Sequence, residues 1–231
     1  MEIQKPQIIL IGGGDAHTTT EAYLERLEQY DDDLLSSHTG WKKWLSDGLS
    51  AHAETIRPNM PSKENAYYPA WQIWFEKYFP YIANIPPHHE SQSTLDRIEA
   101  KKNLPHVPLV LIGHSLGATF LLKYISEHGF PRDIDALHLI APALDDAGLI
   151  GESLSTFSPQ ASHLSHIHKY VKHIHIWSST DDSVVPYDHS VRTHVAIVGS
   201  VLHTFHDRGH FATDSHFVEL FQEVLKVIHK D

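Results

Sequence analysis

The chain has 231 residues, 41% hydrophobic and 20% charged, a composition that supports one well-buried globular domain and excludes disorder. Lys and Arg total 18 against 29 Asp and Glu, a net charge of −11 that argues against a nucleic-acid backbone or an anionic membrane as partner. Cysteine is absent, which removes disulfides, a thiol nucleophile and thiolate metal sites. No cleavable leader is visible at the start, and no apolar run is long enough to span a bilayer, so a cytoplasmic protein is the expectation.

The first element is the apolar run Gln7-Ile8-Ile9-Leu10-Ile11, which reads as a buried parallel strand ended by Gly12-Gly13-Gly14. A dinucleotide fingerprint fails there, because His17 stands where the third glycine belongs. A phosphate loop fails because no Gly-Lys-Ser/Thr follows. Thr18–Tyr30 is a predicted helix, broken by Asp31-Asp32-Asp33, which lacks the spacing of a calcium loop. Another helix is expected from Trp41 to about Ala51, and a weak strand over Ala53–Pro58. Tyr67–Ile82 is helical in period, with Trp71, Trp74, Phe75, Tyr78 and Phe79 on one side as core. A helix over Ser91–Asn103 precedes the strand Leu109-Val110-Leu111-Ile112.

That strand runs into Gly113-His114-Ser115-Leu116-Gly117 and then an amphipathic helix through Tyr124. The pattern G-x-S-x-G between a strand and a helix holds a serine at a strained turn above the sheet. Glycines two residues to either side are required where neighbouring backbone comes too close for a side chain. The helix start places backbone N–H groups and a positive dipole end beside the serine, where negative charge would develop. Further strands are expected over Asp135–Ala141, over Lys172–Trp177 and within Ala196–Phe205. Residues 142–160 read as a loop or small cap, and helices are expected over Ala161–Tyr170, Tyr187–Val195 and Asp214–Ile228. Six strands alternating with helices predict an α/β three-layer sandwich, a mostly parallel six-stranded sheet in the order 2-1-3-4-5-6, in one domain spanning 1–231 with insertions at 15–40 and 142–160 near the site.

A serine needs a base to take its proton and an acid to orient that base; on such a sheet they follow in the order Ser, Asp/Glu, His, each after a strand end. Asp182 follows the fifth strand and is preferred to Asp181, because Asp182-Ser183-Val184-Val185-Pro186 has the D-x-x-V-P form common at that position. His210, in Gly209-His210-Phe211 before the last helix, is preferred to His203 and His206. The oxyanion N–H groups are assigned to Leu116 and to Gly14, with Gly13 and Asp15 adjacent. The 21 histidines are scattered. His163 and His166 are spaced to share a helical face, but no Asp, Glu or Cys lies within 160–175 and no H-E-x-x-H occurs, so surface histidines rather than metal ligands are expected.

The chain resembles the α/β-hydrolase superfamily, and within it the small retinoblastoma-binding-protein-type serine hydrolases. The resemblance rests on the Ser115 turn, on Ser179-Thr180-Asp181-Asp182-x-x-x-Pro186, on Gly209-His210-Phe211, on Trp41-x-x-Trp44-Leu45 and on the stretch 58–61. It implies a triad of Ser115, Asp182 and His210, no cofactor, and a small acyl substrate cleaved through an acyl-enzyme. The stretches 15–40 and 142–160 depart from the family pattern, so substrate preference does not carry over. A catalytically silent protein-binding module on the same fold is the alternative.

Overall fold

The computed structural model describes residues 4–28, 40–84, 105–149 and 153–229. The predicted helix over 91–103 and the three aspartates at 31–33 lie outside the described residues. Six strands form one sheet: β1 Gln7–Ile11, β2 Glu54–Ile56, β3 Leu109–His114, β4 Ile134–Ile140, β5 Val171–Ser179 and β6 Val201–Phe205. Their order is β2-β1-β3-β4-β5-β6, as expected, and every pairing is parallel. The helices are α1 Thr20–Glu28, α2 Trp41–Leu49, α3 Tyr68–Glu76, α4 Leu116–His128, α5 Tyr187–Ala196 and α6 Val218–Ile228.

Alternation along each strand sends neighbouring side chains to opposite faces. Ile8 and Leu10 of β1 and Val110 and Ile112 of β3 join a core with Trp41, Leu45 and Leu49 of α2 and with Leu220 and Val224 of α6. Ile9, Ile11, Leu109 and Leu111 join the opposite core with Trp71 and Phe75 of α3 and with Phe120, Leu121 and Ile125 of α4. Both faces are covered, which is why these strands read as unbroken apolar runs. Each such side chain contributes roughly 1.5–3 kcal/mol by leaving water.

Local chemistry explains where the elements depart from the sequence expectation. The helix expected over 67–82 ends as α3 at Glu76 and resumes only as a 3-10 turn over Phe79–Tyr81, in which Pro80 has no N–H to continue a ladder. Its aromatic stripe is narrower than its spacing suggested: Trp71 and Phe75 are fully buried, whereas Trp74 is 39% exposed. Residues Ala161–Lys169 wind as a 3-10 helix. The last helix starts at Val218, four residues later than expected. Asp214 is held outside it, its carbonyl accepting the Trp41 N–H (2.9 Å) and its carboxylate pairing with Arg208 (3.1 Å). The histidines are not confined to the surface, because His114, His138 and His189 are buried. Burial is tolerated where the ring finds partners, as His189 does with the Leu144 N–H and the Ala147 carbonyl. Among the described residues no cluster of metal-ligating side chains occurs, and no helix is long and apolar enough to cross a membrane.

Candidate active site

The serine sits where β3 turns into α4. Its backbone has φ 56° and ψ −127°, a conformation non-glycine residues rarely adopt and one that costs on the order of 1–3 kcal/mol. Packing on all sides enforces it. The Ser115 N–H donates to the Ile140 carbonyl at the end of β4 (2.8 Å), and the Ser115 carbonyl accepts the N–H groups of Ala118 and Thr119. Close backbone approach accounts for both flanking glycines. A Cβ at Gly117 would lie 2.3 Å from the Gly12 carbonyl oxygen, and one at Gly113 would lie 2.6 Å from the Gly117 oxygen.

The ends of β3, β5 and β6 bring together the three residues singled out from the sequence. Ser115 Oγ lies 2.8 Å from His210 Nε2. His210 Nδ1 lies 2.9 Å and 3.1 Å from the two carboxylate oxygens of Asp182. The Asp182 side chain is fully buried, and its Oδ1 also accepts the N–H groups of Val184 and Val185, so the carboxylate is fixed before it meets the imidazole. The rival residues are engaged elsewhere. Asp181 accepts the Ser179 hydroxyl and the Gly209 N–H (3.0 Å), which pins the loop carrying His210. His203 stacks on Trp177 with ring centroids 3.7 Å apart, and His206 pairs with the Thr180 hydroxyl.

The glycine turn after β1 faces the serine: a Cβ built on Gly13 would lie 3.2 Å from that of Ser115. Gly14 is required by a different neighbour, since its Cβ would lie 2.5 Å from the Lys63 carbonyl oxygen. Asp15 is excluded as an oxyanion donor, because its N–H already donates to that Lys63 carbonyl (2.7 Å). Leu116 opens α4, and the first-turn N–H groups of a helix have no acceptor within it.

Three residues at or beside the site were not legible as functional in the sequence. His114, the variable residue before the serine, is buried, and its Nε2–H donates to the His210 carbonyl (2.8 Å). Trp41 donates its indole N–H to the next carbonyl, that of Phe211 (2.9 Å), and meets the His114 ring edge-on at 5.8 Å. These two donors clamp the base loop from below. Burial, reinforced by the charges of Lys42 and His210, holds the His114 imidazole well below its usual range, so it is neutral. Lys42 is the third: burial first, then the charges of Arg57 and Lys63, push its ammonium down to about 8. A signal for the clamp lay in Trp41-x-x-Trp44-Leu45, whose apolar spacing marks a helix face, but nothing in it discloses the partner carbonyl 170 residues away.

The cleft over the serine has a volume of about 320 Å³ and is lined by Gly13, Gly14, Asp15, Lys42, Lys63, Glu64, His114, Ser115, Val184 and His210. Burial raises the carboxyl of Asp15 above its usual range. The cleft is small, and its surface is about equally polar and apolar.

The fold is shared with solved structures of low sequence identity. The ydeN gene product from B. subtilis is 17% identical, with a TM-score of 0.66 over 98% of this chain and 100% of that one. Est1E from Butyrivibrio proteoclasticus is 18% identical, with a TM-score of 0.51 over 96% of this chain and 86% of that one. A meta-cleavage product hydrolase from Pseudomonas fluorescens is 14% identical, with a TM-score of 0.55 over 97% and 90%. A search of curated proteins gave no match. These likenesses establish an α/β-hydrolase fold and do not single out the retinoblastoma-binding-protein type. A family model described as serine hydrolase matches residues 60–229, a span that contains Ser115, Asp182 and His210, and the chain belongs to that serine hydrolase family.

Proposed function

We propose that the protein is a serine hydrolase of carboxylesterase type, cleaving a small carboxylic ester, or the related thioester or amide, through an acyl-enzyme. The observation that carries this reading is the continuous line from the Ser115 hydroxyl through His210 to the buried carboxylate of Asp182. The Ser115 hydroxyl attacks the substrate carbonyl carbon while His210 Nε2 takes its proton. Asp182 holds the Nδ1–H tautomer and stabilises the imidazolium that forms. The oxyanion is held by the N–H groups of Leu116 and Gly14, with Gly13 the nearest alternative on the same turn. As the intermediate collapses, the bond to the leaving group breaks and His210 gives that group its proton. Water, deprotonated by His210, then attacks the acyl-serine, so that ester and water become acid and alcohol.

Residues 1–231 are read as one domain; of the stretches 15–40 and 142–160, residues 29–39 and 150–152 lie outside the described residues, and Asp15, at the start of the first, lines the cleft. Replacing Ser115 by Ala is expected to abolish hydrolysis of p-nitrophenyl butyrate while leaving the circular dichroism spectrum unchanged. Undiminished hydrolysis by that variant would exclude the mechanism.

A further inference from the structure

A second cleft of about 520 Å³ opens beside the serine on the β1–β2 side, lined by Leu10, Gly12, Gly13, Lys42, Arg57, Pro58, Asn59, Met60 and Lys63. It shares Gly13, Lys42 and Lys63 with the cleft over Ser115, so the two adjoin. Its charge is one-sided. Lys42, Arg57 and Lys63 line it, and among the described residues no carboxylate does. Asp15 and Glu64 line only the cleft over the serine.

These cations are at most weakly neutralised by the described residues. Among the described residues neither Lys42 nor Arg57 has a carboxylate in salt-bridge range, and Lys63 has only an exposed contact of 4.0 Å to Glu64. The charges that act on Lys42 are both positive, those of Arg57 and Lys63. A chain of net charge −11 therefore gathers three cations at one place beside its nucleophile, two of them without a carboxylate partner among the described residues. Burial and the two neighbouring positive charges disfavour the Lys42 ammonium, and an anion in the cleft would offset both effects. Arg57 presents a planar fork suited to two oxygens of one group, and the Asn59 side chain adds neutral hydrogen-bonding capacity.

We propose that this cleft is a subsite for a carboxylate on the substrate, so that the enzyme acts on esters carrying an anionic group on a tether that reaches from the scissile carbonyl toward Arg57. The proposal rests on the serine hydrolase reading and narrows its substrate class. The subsite lies to one side of the serine, and the carboxylate can belong to the acyl part or to the leaving group.

Two matched pairs of esters separate these cases. For the acyl side, p-nitrophenyl hemiadipate is compared with its methyl ester. For the leaving-group side, the butyrate ester of 4-hydroxybenzoate is compared with that of methyl 4-hydroxybenzoate. In one pair the anionic member should be favoured in kcat/KM by about tenfold or more at low salt, the scale of one or two charge-assisted hydrogen bonds. In Arg57→Gln and Lys63→Gln, both at exposed positions, that ratio should fall several-fold. Lys77→Gln, which removes a cation outside the cleft, should leave the ratio alone. If all four esters are hydrolysed through Ser115 and neither pair favours the anion, the subsite is refuted while the hydrolase stands. If none is hydrolysed and a fluorophosphonate does not label Ser115, the hydrolase reading fails and takes the subsite with it.

Discussion

Replacing Gly117 by Ala tests whether the helix start is what places the nucleophile. The added Cβ would lie 2.3 Å from the Gly12 oxygen and 2.6 Å from the Ile11 oxygen, both backbone atoms of β1 and its exit. A relaxed carbon–oxygen contact needs about 3.3 Å, so roughly 1 Å must be found. Buried in the sheet between β2 and β3, β1 cannot yield it, and the first turn of α4 must retreat instead. Ser115 precedes Gly117 by two residues and caps that turn, and its hydroxyl is 2.8 Å from His210 Nε2. A shift of about 1 Å carries the pair beyond the ~3.2 Å reach of a hydrogen bond, at a cost of around 100-fold in turnover. Overpacking should also cost on the order of 1–3 kcal/mol of stability. The assays are kcat with p-nitrophenyl butyrate and the urea unfolding midpoint. Gly12→Ala is the control for stability: nothing lies within 4 Å of its added Cβ, so its urea midpoint should hold. Turnover within about threefold of the parent in Gly117→Ala would refute the argument that this contact sets the serine's position.

Asp182→Asn keeps the shape of the acid but removes its charge and its control of the tautomer, and kcat should fall by about 10³–10⁴ with little change in KM. His114→Phe removes the donor to the His210 carbonyl; as a positioning change it should lower kcat by about tenfold, leave KM unchanged and slow fluorophosphonate labelling in parallel, whereas His114→Gln, which retains a donor, should recover part of the loss. His114 and His138 are held neutral by burial, with pKa values well below the unfolded value of 6.5. As pH falls through that value the unfolded chain takes up protons that the folded chain refuses. Urea-derived stability should therefore be nearly full above about pH 7 and fall by on the order of 1 kcal/mol per histidine between about pH 7 and 5.5. A flat profile over that window would contradict the assignment of neutral buried rings.

The parts legible in the sequence are those whose signal is local. β1 and β3 announce themselves as unbroken apolar runs because both of their faces are buried. The Ser115 turn is legible because steric crowding restricts its neighbours to glycine. Asp182 and His210 follow from chain order and from their place after strand ends. The sequence could rank Asp182 above Asp181, but their separate tasks, one orienting the imidazole and one holding the Gly209 N–H, appear only in three dimensions. Asp15 dropped out as an oxyanion donor for the same reason, its N–H being taken by the Lys63 carbonyl. His114 and Trp41 were missed because their partners lie far along the chain, and Lys42 because a lysine on an amphipathic helix reads as surface. The late start of α6 was hidden too, since Asp214 looks like a helix start until its contacts with Trp41 and Arg208 are seen.

The central claim is that Ser115 is an activated nucleophile. It is tested most directly by treating the protein with a fluorophosphonate and mapping the adduct by peptide mass spectrometry. The adduct should fall on Ser115 alone, and it should vanish in His210→Ala, in which the hydroxyl has no base. An unmodified Ser115, or equal labelling with His210 removed, would contradict it.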